Sequence, residues 1–100
     1  MIKHVVMWKF HDQAEGKSRE ENMAFIRAKL TALKPVISQL LSMEIGSDTG
    51  VGRDTYDMVL ITTFENTDAL EAYQQHPEHK KVSEYVAKVR KARACVDFHI

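Results

Sequence analysis

Cysteine is nearly absent from this chain, since Cys95 is the only one among 100 residues. A disulfide within the chain is therefore excluded. With only two prolines and four glycines, few positions force a helix or strand to end. The chain has no linker, repeat or low-complexity segment. No apolar run approaches the roughly 20 residues of a membrane-spanning helix, and the first residues, MIKH, lack the regions of a secretory signal. We expect a cytoplasmic protein with no membrane partner.

Neither sign of charge is in excess, because 14 Lys and Arg residues balance 14 Asp and Glu residues. Such balance provides no long-range attraction to nucleic acid. The most basic stretch, residues 88–93, is typical of a helix C-terminus, where cations complement the helix dipole. We expect no nucleic-acid partner. The hydrophobic content of 44% suffices for one domain, residues 1–100, whose limited core would benefit from a covering subunit.

Alternation of side chains predicts four strands. In residues 2–10 one face carries Ile2, His4, Val6, Trp8 and Phe10, while the other carries Lys3, Val5, Met7 and Lys9. Apolar groups on both faces indicate a strand that is covered on both sides. Further strands are predicted at residues 42–48, 56–64 and 92–100 from β-branched content and alternation.

Capping and periodicity predict two helical regions. Ser18 and Glu21 have the spacing of a capping box, and Pro35 should end the first helix near Lys34. Residues 36–41 are read as a short helical turn. A second region starts at Thr67 or Asp68, with a further helix beginning at Pro77.

The resulting order is strand, helix, strand, strand, helix, strand. This order is typical of a ferredoxin-like α+β fold, a four-stranded antiparallel sheet with its helices on one face. The other face, which carries Val5 and Met7, then lacks a cover within the chain. A second copy of the same sheet is the simplest cover, because two-fold homodimers are the commonest oligomers.

Two segments resemble a known family. Residues 2–10, IKHVVMWKF, resemble the first strand of the stress-responsive A/B barrel (Dabb) family, and residues 73–79, YQQHPEH, resemble its Tyr-x-x-His-Pro-x-His segment. The resemblance extends over essentially the whole chain and implies a dimeric α+β barrel. Many members of that family have no assigned reaction, whereas a plant branch includes a polyketide cyclase that works by aldol chemistry.

The resemblance to the cyclase implies a set of site residues. Its acid–base histidine and tyrosine correspond to His79 and Tyr73, and a first-strand histidine of its pocket corresponds to His4. A pocket histidine is replaced by Met58, and an aromatic residue of the first helix aligns near Arg27, so a different substrate is expected. The expected substrate-binding residues are His4, Val6, Trp8, Met58, Leu60 and Arg27.

His79 and Tyr73 suit proton transfer on a carbonyl compound. Histidine titrates near neutral pH, and a phenol can donate a hydrogen bond to a developing enolate oxygen. The helix predicted to start at Pro77 would keep His79 neutral and basic. The alternative is that Tyr73 and His79 only pack between two helices, with His76 capping the second. His4 is either a satisfied core histidine or a cavity residue, and Trp8 is read as core or pocket wall.

No metal site is expected, because the pair His76 and His79 provides too few ligands for zinc. Cys95 is expected to be a packed thiol.

The leading hypothesis is a small-molecule-binding protein with cofactor-independent cyclase, isomerase or lyase-like activity. One alternative is a non-enzymatic stress or assembly module. The other is a haem- or flavin-dependent monooxygenase, which rests on fold analogy alone.

Overall fold

The computed structural model describes all residues, 1–100. In chain order the elements are β1 (Ile2–Phe10), β2 (Gln13–Ala14), β3 (Lys17–Ser18), α1 (Arg19–Thr31), β4 (Ser42–Ser47), β5 (Met58–Phe64), α2 (Thr67–Gln75), α3 (Pro77–Val89) and β6 (Arg90–His99). None of the helices is long and apolar enough to cross a membrane.

The main sheet has four antiparallel strands in the order β4-β5-β1-β6. With its helices this is the ferredoxin-like α+β fold that the sequence predicted. The alternation in β1 is confirmed, since Ile2, His4, Val6, Trp8 and Phe10 are all buried. Their register continues across the sheet, so that Val6 pairs with Leu60 and with Cys95.

The start of α1 follows the predicted capping box, but its end differs. The Ser18 side chain accepts from the Glu21 N–H, and the Glu21 carboxylate accepts from the Ser18 N–H. The helix ends at Thr31 rather than near Lys34. Residues 32–40 form irregular turns with no helix. These turns place the side chains of Leu33, Ile37 and Leu40 in the core.

Several other boundaries differ by one or two residues. Asn66 caps α2 by accepting from the Ala69 N–H, and the helix begins at Thr67, one of the two predicted starts. The segment between β1 and α1 contains the small β2–β3 hairpin. Its turn residues Glu15 and Gly16 have φ of 52° and 72°, as a two-residue hairpin turn favours.

One face of the main sheet carries the core and the other is open. The core face packs against the helices in a cluster of 17 buried hydrophobic residues. On the open face the strand registers align Val5 with Ile61 and Val96. Phe98 and Val96 are 42% and 55% exposed there, which leaves an uncovered apolar surface as predicted.

Candidate functional site

A cavity of about 70 Å³ lies between the core face of the sheet and the helices. Its walls include His4, Val6 and Trp8 from β1, Leu60 from β5, and Gln74 and His79 from the helices. Arg90 and Arg93 of β6 also line it. The fold thus brings together His4, Val6, Trp8, Leu60 and His79 of the residues singled out in the sequence.

His79 is held as a neutral imidazole. It lies in the first turn of α3, and its Nδ1 is 3.3 Å from the Gln74 carbonyl oxygen. A carbonyl only accepts hydrogen bonds, so Nδ1 carries the proton and the neutral ring has an unprotonated Nε2. Burial lowers the pKa of His79, the bond to the Gln74 carbonyl opposes that effect, and the nearby positive charge of Arg93 adds to it.

Tyr73 lies behind His79 and does not line the cavity. Its ring is fully buried, with centroids 4.4 Å from the His79 ring and 5.0 Å from the Phe64 ring. The buried phenol oxygen has no hydrogen-bond partner. Burial raises the pKa of Tyr73 far above its usual value, so the phenol stays protonated near neutral pH and can donate a hydrogen bond but cannot act as a base.

His4 is 3% exposed and has the polar partner that a buried imidazole requires. Its Nδ1 is hydrogen-bonded to Asp97 Oδ1 and lies 3.6 Å from Cys95 Sγ. Both partners come from β6, where Asp97 pairs with His4 and Cys95 with Val6. The expectation of a packed thiol is wrong, because Cys95 is exposed on the edge strand. Partial burial and the charge of Asp97 raise the pKa of its thiol, which Arg93 opposes.

Met58 and Arg27 do not line the cavity, so their expected substrate-binding role is not supported. Met58 is 2% exposed in the core and pairs with Trp8. Arg27 extends toward β4, where it donates to the Ile45 carbonyl at 3.3 Å and the Ser47 Oγ at 3.2 Å. For Arg27 the reason is strand order, because β4 occupies the edge of the sheet opposite β6.

Sequence reasoning missed the polar cavity residues Gln74, Ser83, Arg90 and Arg93, and it missed Asp97, which is hydrogen-bonded to His4. Arg90 and Arg93 were read only as cations at a helix end. Pairing β1 with β6 in register would have placed Asp97 opposite His4, but the sequence contains no local signal for that register. His76 does cap α3 as expected, since its Nδ1 accepts from the Glu78 N–H at 3.1 Å.

A larger open groove of about 620 Å³ runs between α1 and α3. Its floor is mainly apolar and includes Phe25, Leu33 and Tyr85, and its charged groups are Lys29, Lys81 and Glu78. Lys81 and Glu78 form an exposed ion pair at 3.1 Å. Because the groove contains no histidine, the smaller cavity is the better candidate for acid–base chemistry.

Comparisons with known proteins agree on the family and the fold. The family model described as the stress responsive A/B barrel domain (Dabb) matches residues 2–100. No curated protein matches the chain. A solved structure from Bacteroides fragilis, described as a dimeric protein of unknown function with a ferredoxin-like fold, is 29% identical with a TM-score of 0.81. It covers 99% of this chain and 95% of its own.

Two further solved structures have the same fold at lower identity. A dimeric ferredoxin-like protein of unknown function from Thermobifida fusca is 23% identical, with a TM-score of 0.86 and coverage of 99% of this chain and 90% of its own. Hydroxynitrile lyase from Passiflora edulis is 14% identical, with a TM-score of 0.85 and coverage of 99% and 92%. The sequence match over nearly all residues and the shared fold identify this chain as a member of the stress responsive A/B barrel domain family.

Proposed function

We propose that this protein binds a small carbonyl compound between His4 and His79 and transfers a proton on it without a cofactor. The observation that carries the proposal is the state of His79. Its Nδ1 donates to the Gln74 carbonyl and burial lowers its pKa, so the ring is neutral near pH 7 with a basic Nε2. A neutral imidazole beside a cavity is suited to removing a proton from carbon.

The cavity walls favour a small anionic substrate. Ligand pockets commonly measure about 300–1,000 Å³, whereas this cavity measures about 70 Å³, enough for a few water molecules. Arg90 and Arg93 line it, and guanidinium groups bind carboxylates by paired hydrogen bonds. A short carbonyl compound with a carboxylate therefore suits the site better than a long polyketide chain.

Tyr73 supplies the second group of the proposed reaction. Its buried hydroxyl has no partner, and its ring contacts that of His79. Tyr73 does not line the cavity, so the His79 ring must move aside for a substrate oxygen to accept from this phenol and relieve the unpaired donor. Because the raised pKa keeps the phenol protonated, Tyr73 would stabilise an enolate oxygen while His79 holds the proton.

The fold is compatible with such chemistry. The similar structure from Passiflora edulis is a hydroxynitrile lyase, so this architecture can support a lyase. At 14% identity the likeness concerns the fold alone. The proposal for this chain therefore rests on the arrangement of His79, Tyr73 and His4.

Proton exchange provides the test. Short 2-oxo acids are incubated with the protein in D₂O, and loss of the signal from the hydrogens next to the carbonyl is followed by ¹H NMR. We expect His79→Ala to reduce catalysed exchange by about 10²–10⁴-fold, the usual contribution of a general base. His11→Ala is the matched control, since His11 is exposed in the segment after β1. Exchange that survives intact in His79→Ala would refute the assigned role.

We also propose that the chain forms a homodimer through the open sheet face. The apolar residues Val5, Ile61, Val96 and Phe98 share this face, and the Bacteroides fragilis structure at 29% identity is described as dimeric. A charge at Phe98 would be buried without a partner in such an interface. Phe98→Glu is expected to yield monomers in sedimentation experiments, while His99→Glu, on the other face of β6, stays dimeric. If Phe98→Glu and His99→Glu sediment with the same oligomeric mass, this interface is contradicted.

The competing function is a non-enzymatic stress or assembly module. It is favoured by the small volume of the cavity and by the close stacking of Tyr73 between Phe64 and His79. In that case no carbonyl compound shows catalysed exchange, and His79→Ala only lowers the unfolding temperature.

A further inference from the structure

We propose that His4, Cys95 and Asp97 form a binding site for a divalent transition metal, with Zn²⁺ as the best match. The three side chains offer an imidazole nitrogen, a sulfur and a carboxylate oxygen that lie within 4.8 Å of one another. This inference goes beyond the proposed proton-transfer function and does not depend on it. The site is separate from the pair His76 and His79, whose Nδ1 atoms bond to the backbone.

Strand pairing assembles the three ligands. His4 and Asp97 are direct partners in the antiparallel pair of β1 and β6, and Cys95 pairs with Val6, two residues along. Alternate residues of a strand share a face, so all three side chains lie on the face that carries the core. The backbones of two hydrogen-bonded strands therefore hold the donors, which reduces the ordering that an ion must impose.

The distances fit tetrahedral coordination. Cys95 Sγ is 3.6 Å from His4 Nδ1 and 3.7 Å from Asp97 Oδ1. Zinc bond lengths of about 2.3 Å to sulfur and about 2.0–2.1 Å to nitrogen or oxygen place tetrahedral ligands about 3.5–3.6 Å apart. The remaining contact, the hydrogen bond between His4 and Asp97, must open to about 3.3 Å. Asp97 can rotate to allow this, because its side chain is 42% exposed.

Exposure at the sheet edge leaves room for the ion and for a fourth ligand. The His4 side chain is 4% exposed and so is fixed in orientation, whereas Cys95 and Asp97 face solvent on β6. Three protein ligands and one water is the usual arrangement of an open zinc site. A thiolate and a carboxylate also neutralise the two positive charges of the ion.

The ligand types determine the class of metal. Thiolate and imidazole favour zinc, cobalt and copper, whereas magnesium and calcium prefer sites made of oxygen ligands. We therefore expect binding of Zn²⁺ and Co²⁺ and no detectable competition from Mg²⁺.

The test uses Co²⁺ as a spectroscopic probe on the reduced full chain. A cobalt–thiolate bond produces a charge-transfer absorption in the near ultraviolet, which other ligands of this site do not produce. We expect the band to saturate at one Co²⁺ per chain, to be displaced by Zn²⁺, and to be lost in Cys95→Ser. Asp97→Asn should weaken Zn²⁺ binding measured by calorimetry by about tenfold or more, since even outer partners of metal ligands contribute about 10–100-fold.

Two controls separate this site from others. His11→Gln removes an exposed histidine and should leave Co²⁺ binding unchanged, and His76→Gln tests the other histidine pair. Cys95 and Asp97 are exposed, so their variants should fold, and circular dichroism verifies this. Absence of the charge-transfer band in the wild type, its persistence in Cys95→Ser, or loss of binding in His76→Gln would each overturn the proposal. Every readout is metal binding itself, so the outcome is independent of whether carbonyl exchange is observed.

Discussion

Tyr73→Phe should stabilise this protein, although it removes a polar group from the centre of the fold. The phenol oxygen of Tyr73 is buried and has no hydrogen-bond partner. A buried donor without a partner costs about 1–3 kcal/mol, because it has lost its hydrogen bonds to water. Phenylalanine keeps the ring contacts with Phe64 and His79 and removes this cost.

The expected gain is about 1 kcal/mol in the free energy of unfolding, at the lower end of that range because the missing oxygen leaves a small void. In a domain of this size such a gain corresponds to a rise in Tm of about 4–8 °C. Urea unfolding at a single protein concentration is the suitable assay, because dimerisation would make stability depend on concentration.

Tyr85→Phe is the matched control. The Tyr85 hydroxyl donates to Asn22 Oδ1 at 2.5 Å, and Asn22 is fully buried. Its loss leaves the amide oxygen without that donor and should cost about 1–3 kcal/mol. The two substitutions remove the same atom and are expected to change stability in opposite directions. If Tyr73→Phe destabilises the protein as Tyr85→Phe does, the phenol has a partner and the reasoning fails.

Two other predictions concern His79 and Arg27. Burial lowers the pKa of folded His79 below its ordinary value of 6.5, so the unfolded state binds more protons below that pH. The contribution of His79 to the free energy of unfolding should therefore be fully present above about pH 6.5 and be lost as the pH drops through the lowered pKa. Urea midpoints measured between about pH 7.5 and pH 5 should decline less in His79→Gln than in the wild type. An equal decline with pH in the two proteins would contradict this prediction. Arg27→Ala removes two exposed hydrogen bonds to β4, which should cost about 1 kcal/mol or less and leave carbonyl exchange intact. A large loss of carbonyl exchange in this variant would show that Arg27 does contribute to substrate binding.

Local patterns were enough to predict most of the framework. The alternation of β1 identified which of its side chains are buried, because a strand with period two has only two faces. Ser18 and Glu21 located the start of α1, since the capping box is formed by residues three apart. The element order restricted the topology to a ferredoxin-like sheet, and the structure confirms it.

Predictions failed where a residue's surroundings come from distant parts of the chain. The position of Pro35 suggested a helix as far as Lys34, but α1 ends at Thr31, and Leu33, Ile37 and Leu40 reach the core from irregular turns. Met58 and Arg27 were assigned to a pocket that they do not line. Their positions depend on which strand each one faces, and local sequence does not contain that information.

The sequence by itself determined the strands, the helices, the buried face of β1 and the uncovered apolar face of the sheet, because each depends on neighbours a few residues apart. Only the tertiary structure decided which polar groups meet. Pairing of β6 with β1 brings Asp97 to His4 across 93 residues of chain, and packing of the helices encloses His79 and leaves the Tyr73 hydroxyl without a partner. These contacts result from closing long loops, a process governed by the packing of the whole fold and not by local periodicity.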